Sequence, residues 1–181
     1  HKQLGALLFL DLDDFKTLND TQGHDTGDRL LQQVALRLKR AVRAIDTVAR
    51  LGGDEFVVLL EELGQESKVA VLQAEHAAQK LLAAFHQPFD LGTSVHQCTT
   101  SIGLTLFDGK RASTDELLKQ ADLAMYESKQ AGRNTVHFFD PRMQQLALQR
   151  ATLEADLRRA SLQQEFVLRY QPQWTRDGRL A

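Results

Sequence analysis

Apolar residues fall in blocks whose spacing shifts between the two-residue repeat of strands and the 3.6-residue repeat of helices. Leu7 to Leu12 is a short apolar run closing in acids, which predicts a buried strand. Asp13 to Gln22 predicts a short helix, with Gly23 as its stop signal. Asp25 or Thr26 then caps a long helix, whose apolar positions Leu30, Leu31, Val34, Ala35, Leu38, Val42 and Ile45 share one face. Two strand-like runs follow, Thr47 to Leu51 and Phe56 onward, with Gly52 and Gly53 between them as a tight turn. Glu66 to Gln87 predicts a second amphipathic helix through Val69, Leu72, Leu81, Leu82 and Phe85, ended by Pro88. Phe89 to Leu91 and Val95 to Phe107 read as strands joined by the turn "LGTS". Ser113 to Glu116 is a capping box opening a helix that ends at Gly132, and Thr135 to Phe139 is a last strand.

This order predicts an α/β (α+β) ferredoxin-like fold: a mostly antiparallel central sheet with flanking helices, here expected on one face. The hairpin argues against a parallel doubly wound sheet. In the ferredoxin-like order the first strand lies beside the strand starting at Phe56 and antiparallel to it. Asp11, at the end of one, then sits beside Asp54 and Glu55, at the start of the other.

Composition narrows the setting. The chain has 181 residues, 43% hydrophobic and 25% charged, which suits one globular domain with an appendage. Net charge is -2 and no basic stripe is visible, which argues against nucleic acid as a partner. Cys98 is the single cysteine, so no internal disulfide forms; a reducing, cytoplasmic setting fits, and Cys98 reads as a small buried residue on a strand. No apolar run reaches the roughly 20 residues that cross a bilayer. Both ends read as cuts through a longer protein, and absent upstream segments could anchor the full-length protein to a membrane.

Three carboxylates meeting at one sheet edge raise each other's pKa or require a cation. Beside a backbone carbonyl they suit Mg²⁺, with Mn²⁺ as its substitute, which takes oxygen ligands and leaves positions for phosphate oxygens. The residues around them carry a family resemblance. "RLGGDEF" stands at Arg50 to Phe56, "FLDLDDFKTLNDTQGHDTGD" at Phe9 to Asp28, and "ADLAMYESKQAGRN" at Ala121 to Asn134. Together they resemble the GGDEF family of diguanylate cyclases, whose palm-type fold joins two GTP molecules into cyclic di-GMP; the likeness covers roughly residues 4 to 140.

The resemblance implies roles. Asp11 and Asp54 hold Mg²⁺ with the backbone carbonyl of Leu12; Glu55 is either a further ligand or the proton acceptor for the ribose 3′-hydroxyl. Lys16, Lys129 and Arg133 contact phosphates. Asn19 and Asp28 read guanine, whose N1–H and 2-amino group offer a carboxylate two donors where adenine has no such pair. Gly52 and Gly53 let the backbone approach the nucleotide, and Arg50 belongs to the same substrate set. Taken singly, each residue has a plainer reading: Lys16 a solvated lysine, Asp28 a first-turn acid facing the helix dipole, Lys129 and Arg133 its complement at a helix end. His24 reads as a structural loop residue, and Met125 and Tyr126 as core.

"RAID", Arg43 to Asp46, ends the long helix nine residues ahead of Gly52 and resembles the family's RxxD inhibitory site for cyclic di-GMP. Arg43 would stack on guanine and pair with phosphate. The tail "LEADLRRASLQQEFVLRYQPQ", Leu153 to Gln173, resembles the entry to an EAL phosphodiesterase domain. A linker helix carrying Met143, Leu146, Leu153 and Leu157 on one side would join the two. The implied domains are 1–140 (GGDEF, lacking its N-terminal edge), 141–163 (linker) and 164–181 (an incomplete EAL start), to which no hydrolase activity is assigned. The whole implies a Mg²⁺-dependent diguanylate cyclase that works as a homodimer and is inhibited by its product. The alternatives are a non-catalytic GTP-binding regulator of a downstream phosphodiesterase, or a cyclic di-GMP receptor acting through Arg43 and Asp46.

Overall fold

The computed structural model describes residues 3–92, 94–108, 113–169, 171, 172 and 177. Thr93 of the "LGTS" turn, and Tyr170 and Gln173 of the tail motif, lie outside the described residues. The chain divides into two compact units, residues 1–144 and 145–181.

The first unit runs β1 (Gly5–Leu12), α1 (Phe15–Gln22), α2 (His24–Ala41), β2 (Thr47–Gly52), β3 (Glu55–Leu60), α3 (Ser67–Ala84), β4 (Phe89–Asp90), β5 (Val95–His96), β6 (Thr100–Phe107), α4 (Thr114–Gln130), β7 (Val136–Phe138) and the start of α5 (Pro141–Leu162). The main sheet has the order β2-β3-β1-β6-β7. β1 lies antiparallel to both β3 and β6, and among the described strands only β7 runs parallel to its neighbour. This is the mostly antiparallel ferredoxin-like order read from the sequence.

Helices cover both faces of the sheet rather than one. Every residue of β1 is buried, and a continuous apolar strand needs cover on both sides. Ala6, Leu8 and Leu10 pack with Leu30, Val34 and Leu38 of α2 and Ala70, Ala74 and Ala78 of α3. Leu7, Phe9 and Val57 pack with Ala121 and Met125 of α4 on the other face. Gly103 of β6 makes that second layer fit, because a Cβ there would run into the α4 backbone at Ala121 to Met125. Ser113 caps α4 as predicted, its hydroxyl accepting from the Glu116 N–H at 3.2 Å.

Other boundaries also differ from expectation. α2 starts directly after Gly23, so Asp25 and Thr26 lie inside its first turn instead of capping it. It ends at Ala41, with Val42 already extended; Arg43 to Asp46 therefore form a loop after the helix, and Ile45 is exposed. On α3 the buried face is alanine, Ala70, Ala74 and Ala78 with Leu81, because small side chains let a helix lie close to the sheet. Val69 and Leu72, expected inside, are exposed. The predicted strand Val95 to Phe107 is split at residues 97–99, where Gln97 donates to the Phe85 carbonyl and the Thr99 carbonyl accepts from Asp13 N–H. Cys98 is buried as expected but lies in this break, not on a strand; burial first, then nearby Asp13, pushes its thiol up to about 12, so it stays protonated. Tyr126 is exposed, whereas Met125 is core.

One face of α2 holds the β4–β5 hairpin through backbone carbonyls. Arg29 donates to Leu91 O at 3.1 Å, and Arg37 donates to Ala84 O at 3.1 Å and Pro88 O at 3.0 Å. The Arg37 guanidinium also lies 3.5 Å from the centre of the Phe89 ring.

In the second unit, α5 continues to Leu162, and residues 165–169 form neither helix nor strand. Leu146, Leu153 and Leu157 are exposed. Among the described residues no helix is long and apolar enough to cross a membrane.

Candidate active site

The site is built where β1 ends and the β2–β3 hairpin turns. Register places Asp11 directly opposite Glu55, so both side chains leave the sheet on one face, the face covered by α4. The Leu12 N–H donates to Asp54 O at 3.3 Å, which ties the strand end to the turn. The turn residues are Gly53 and Asp54 rather than the glycine pair, and Gly53 adopts φ 50°, a conformation that favours glycine. Arg50 locks this turn: its Nε and Nη2 donate to Gly53 O at 2.9 and 2.7 Å. Nothing lies within 4 Å of where a Cβ would stand on Gly52 or Gly53, so their backbone is open to a ligand.

A cleft of about 190 Å³ gathers Asp11, Leu12, Asp54, Lys16, Lys129 and Arg133. Thus two acids, one strand-end backbone and three cations expected to act together do share one space. Glu55 does not line this cleft. Asp11 is 7% exposed, and its Oδ2 pairs with Lys129 Nζ at 2.7 Å. Burial is the main influence pushing the Asp11 carboxyl above its ordinary value; Asp54 and Asp13 push the same way, against Lys129. Among the described residues no three His, Cys, Asp or Glu side chains are gathered closely enough to hold a metal ion. Lys129 supplies the positive charge at Asp11 in this arrangement.

A second cleft of about 360 Å³ lies against α2 and is lined by Asp28, Leu31, Gln32, Ala35 and Arg50. Asp28 is exposed there, free of the helix packing. Asn19 does not line it. Its Oδ1 is buried with no hydrogen-bond partner among the described residues, and it packs where a Cβ on Gly27 would stand. An orphaned buried acceptor costs roughly 1–3 kcal/mol.

Arg43 and Asp46 form a separate clasp at the other end of the β2–β3 hairpin. Arg43 Nε and Nη2 donate to Asp46 Oδ2 and Oδ1 at 3.1 and 2.7 Å, and Nη2 also donates to Glu61 O at 2.6 Å. The backbone N–H groups of Arg43 and Glu61 donate to the same carboxylate at 2.9 and 3.3 Å. Burial pushes the Asp46 carboxyl up, and these hydrogen bonds outweigh it and hold it below its ordinary value. A cleft of about 260 Å³ beside the clasp is lined by Arg43, Asp46, Gln73, His76 and Lys80 over apolar Leu60 and Leu63.

Sequence reasoning missed Asp13. It is 7% exposed and bonds to Thr99, Ser101 and the backbone of Asn134, residues that only the folded chain brings near. The doubled acid in "DLDD" was its one sequence signal.

Residues 1–135 match the family model described as the diguanylate cyclase GGDEF domain. The chain is 43% identical over 167 residues to MucR of Pseudomonas aeruginosa, a bifunctional diguanylate cyclase/cyclic di-GMP phosphodiesterase, covering 92% of this chain and 24% of that protein. It is 39% identical over 167 residues to the cyclic di-GMP phosphodiesterase NbdA of the same species, covering 92% and 21%. The chain thus spans less than a quarter of the length of these relatives. Among solved structures, the GGDEF domain of TpbB (YfiN) from Pseudomonas aeruginosa is similar with a TM-score of 0.75 and 34% identity, over 82% of this chain and 84% of that one. With the signature hairpin, the strand-end acids and the sheet order all in place, this chain belongs to the GGDEF family of diguanylate cyclase domains.

Proposed function

We propose that this chain condenses two GTP molecules into cyclic di-GMP and two diphosphates, each of two paired domains holding one GTP. The observation that carries the reading is the shared cleft that Asp11, Leu12 and Asp54 line together with Lys16, Lys129 and Arg133. Oxygen donors beside cations suit a triphosphate with its divalent ion. Mg²⁺, or Mn²⁺ in its place, fits the donor set, since it is held by one or two carboxylates plus substrate phosphates rather than by an all-protein cage. Asp11, Asp54, the Leu12 carbonyl and Glu55 are the residues that would hold it. Bound there, the ion offsets charge on the α-phosphate and the leaving diphosphate.

The chain's own residues do the rest. Lys129 exchanges Asp11 for phosphate oxygens when substrate enters, while Lys16 and Arg133 bind the remaining charge. Asp28 accepts from guanine N1–H and the 2-amino group, and Asn19, whose Oδ1 has no partner among the described residues, completes base recognition. Arg50 holds Gly53 so that the turn lies open beside the nucleotide. Glu55 takes the proton of one 3′-hydroxyl as its oxygen attacks the α-phosphorus of the other GTP. The bond from that phosphorus to the diphosphate breaks in line, and the step repeats with roles reversed. Pairing of two domains supplies the proximity that makes the attack unimolecular. The Arg43–Asp46 clasp with its adjoining cleft is the product-inhibition site in this reading. Residues 141–163 serve as a linker helix and 164–181 as the opening of an EAL phosphodiesterase domain.

One observation favours a second reading, a GTP-binding regulator without turnover: Lys129 holds Asp11 in an ion pair at 2.7 Å. A single experiment separates the two. The protein is incubated with GTP and Mg²⁺, products are identified by mass, and GTP binding is measured by calorimetry. Cyclic di-GMP formation that Glu55→Gln abolishes without unfolding supports the cyclase. Binding without product supports the regulator, and absence of both overturns the assignment.

A further inference from the structure

Two consecutive residues after α4, Arg133 and Asn134, adopt left-handed backbone at φ 64° and 49°. Neither is glycine, and left-handed backbone is uncommon for residues with a side chain, Asn adopting it more readily than Arg. The loop they form carries Arg133 to the mouth of the acid-and-cation cleft. What pins it is a residue from near the start of the chain. Asp13 Oδ2 accepts from Asn134 N–H at 3.2 Å and from Thr99 Oγ at 2.7 Å. Its Oδ1 accepts from Ser101 Oγ at 2.7 Å, and its own N–H donates to Thr99 O at 3.0 Å. The side chain therefore joins three segments: the end of β1, the start of β6, and the turn between α4 and β7.

Asp13 stands two residues after Asp11 and three before Lys16, so the backbone carrying one half of the cleft is bonded directly to the loop carrying the other. Asp13 itself also borders the cleft, but its oxygens are taken by these donors. We infer that Asp13 is a positioning residue that holds Arg133 over the strand-end acids, setting how tightly the cleft takes the polyphosphate of its nucleotide. This rests on the reading of Arg133 as a phosphate contact. The chemistry needs a carboxylate. Asparagine in the same place has one acceptor oxygen, and can serve either Ser101 or the Thr99–Asn134 pair, while its amide nitrogen faces donors on the other side.

The test uses Asp13→Asn, Arg133→Ala and the double variant in the full chain, with Mg²⁺ and the α,β-methylene analogue of GTP as a non-reacting probe. Calorimetry is expected to show about tenfold weaker binding for Asp13→Asn in the parent, and under threefold further weakening in the Arg133→Ala background. A merely structural role predicts the same factor in both backgrounds, and that result overturns the inference, as does unchanged affinity in Asp13→Asn. Should Asp13→Asn fail to fold, the pair Thr99→Val with Ser101→Ala removes the two side-chain donors that orient the carboxylate, and the same cycle is run on it. Amide exchange of Asn134 in the nucleotide-free protein gives a second readout. At least tenfold faster exchange confined to the Arg133–Asn134 turn is expected, and unchanged exchange overturns the inference. A parent protein that does not bind the probe, yet shows this exchange change, would sink the nucleotide reading and with it the role of Arg133, leaving the failure traceable to that reading.

Discussion

Arg43→Ala is the perturbation whose consequences the structure changes most. As a ligand contact alone, Arg43 could be removed without cost to the free domain. In the fold it donates three hydrogen bonds, two to Asp46 and one to Glu61 O, and closes the loop that feeds β2. Hydrogen bonds to charged groups contribute about 1.5–3 kcal/mol each when well buried. The Arg43 side chain is 49% exposed, so water replaces much of what is lost, whereas that of Asp46 is only 2% exposed. Asp46 keeps the N–H groups of Arg43 and Glu61, which holds the loss well below the roughly 3–5 kcal/mol of a fully orphaned buried charge. The expected destabilisation is about 1–3 kcal/mol. At roughly 2–4 °C per kcal/mol this lowers Tm by about 2–12 °C. The assay is urea unfolding of parent, Arg43→Ala and Arg43→Lys across pH. Asp46 has its folded pKa below its unfolded value, so its contribution is complete above the unfolded value of about 3.9 and is lost as pH falls through the folded one. The gap between parent and Arg43→Ala is therefore constant from about pH 5 to 8 and shrinks below about pH 4. An unchanged midpoint at neutral pH, or a gap that grows in acid, would refute the clasp. Lysine keeps the charge but not the two-pronged donor geometry, so Arg43→Lys falls between the two and also weakens cyclic di-GMP binding.

Gly103→Ala brings a methyl against the α4 backbone, 2.8 Å from Ala124 C and nearer to its neighbours, so it should cost about 1–3 kcal/mol or more in urea unfolding and displace Lys129. Asp28→Ala should erode the preference for GTP over ATP, which for a site built on donor pairing reaches up to about 10⁴–10⁵, at least a hundredfold by competition binding; an unchanged preference would remove Asp28 from base recognition. Lys129→Ala frees Asp11 of its counter-charge, so Mn²⁺ alone should bind more tightly by electron paramagnetic resonance while GTP binds more weakly; weakening of both would refute the exchange of partners.

Much of the site was legible before folding because it depends on short-range rules. The hairpin and the order of elements sufficed to put Asp11 beside Asp54 and Glu55, since a split βαβ unit leaves few sheet orders. The left-handed turn at Gly53 and the Ser113 cap follow from local backbone sterics and orphan N–H groups. Other features depend on what meets what. The unbroken run of β1 carries no mark of which helix covers which face, and it took the close approach of α4 at Gly103 to show a layer on each side. Ala70, Ala74 and Ala78 outcompete Val69 and Leu72 for the core because the space under the sheet is thin, a fact about the neighbouring layer rather than about α3. α2 ends at Ala41, and Arg43 in the loop beyond it reaches Glu61, eighteen residues away. Asp13 finding Asn134, and Lys129 finding Asp11, join residues more than a hundred positions apart. Local propensity fixes φ and ψ over a few residues; a buried charge finds its partner only when the whole chain has closed around it, and that choice belongs to the tertiary structure.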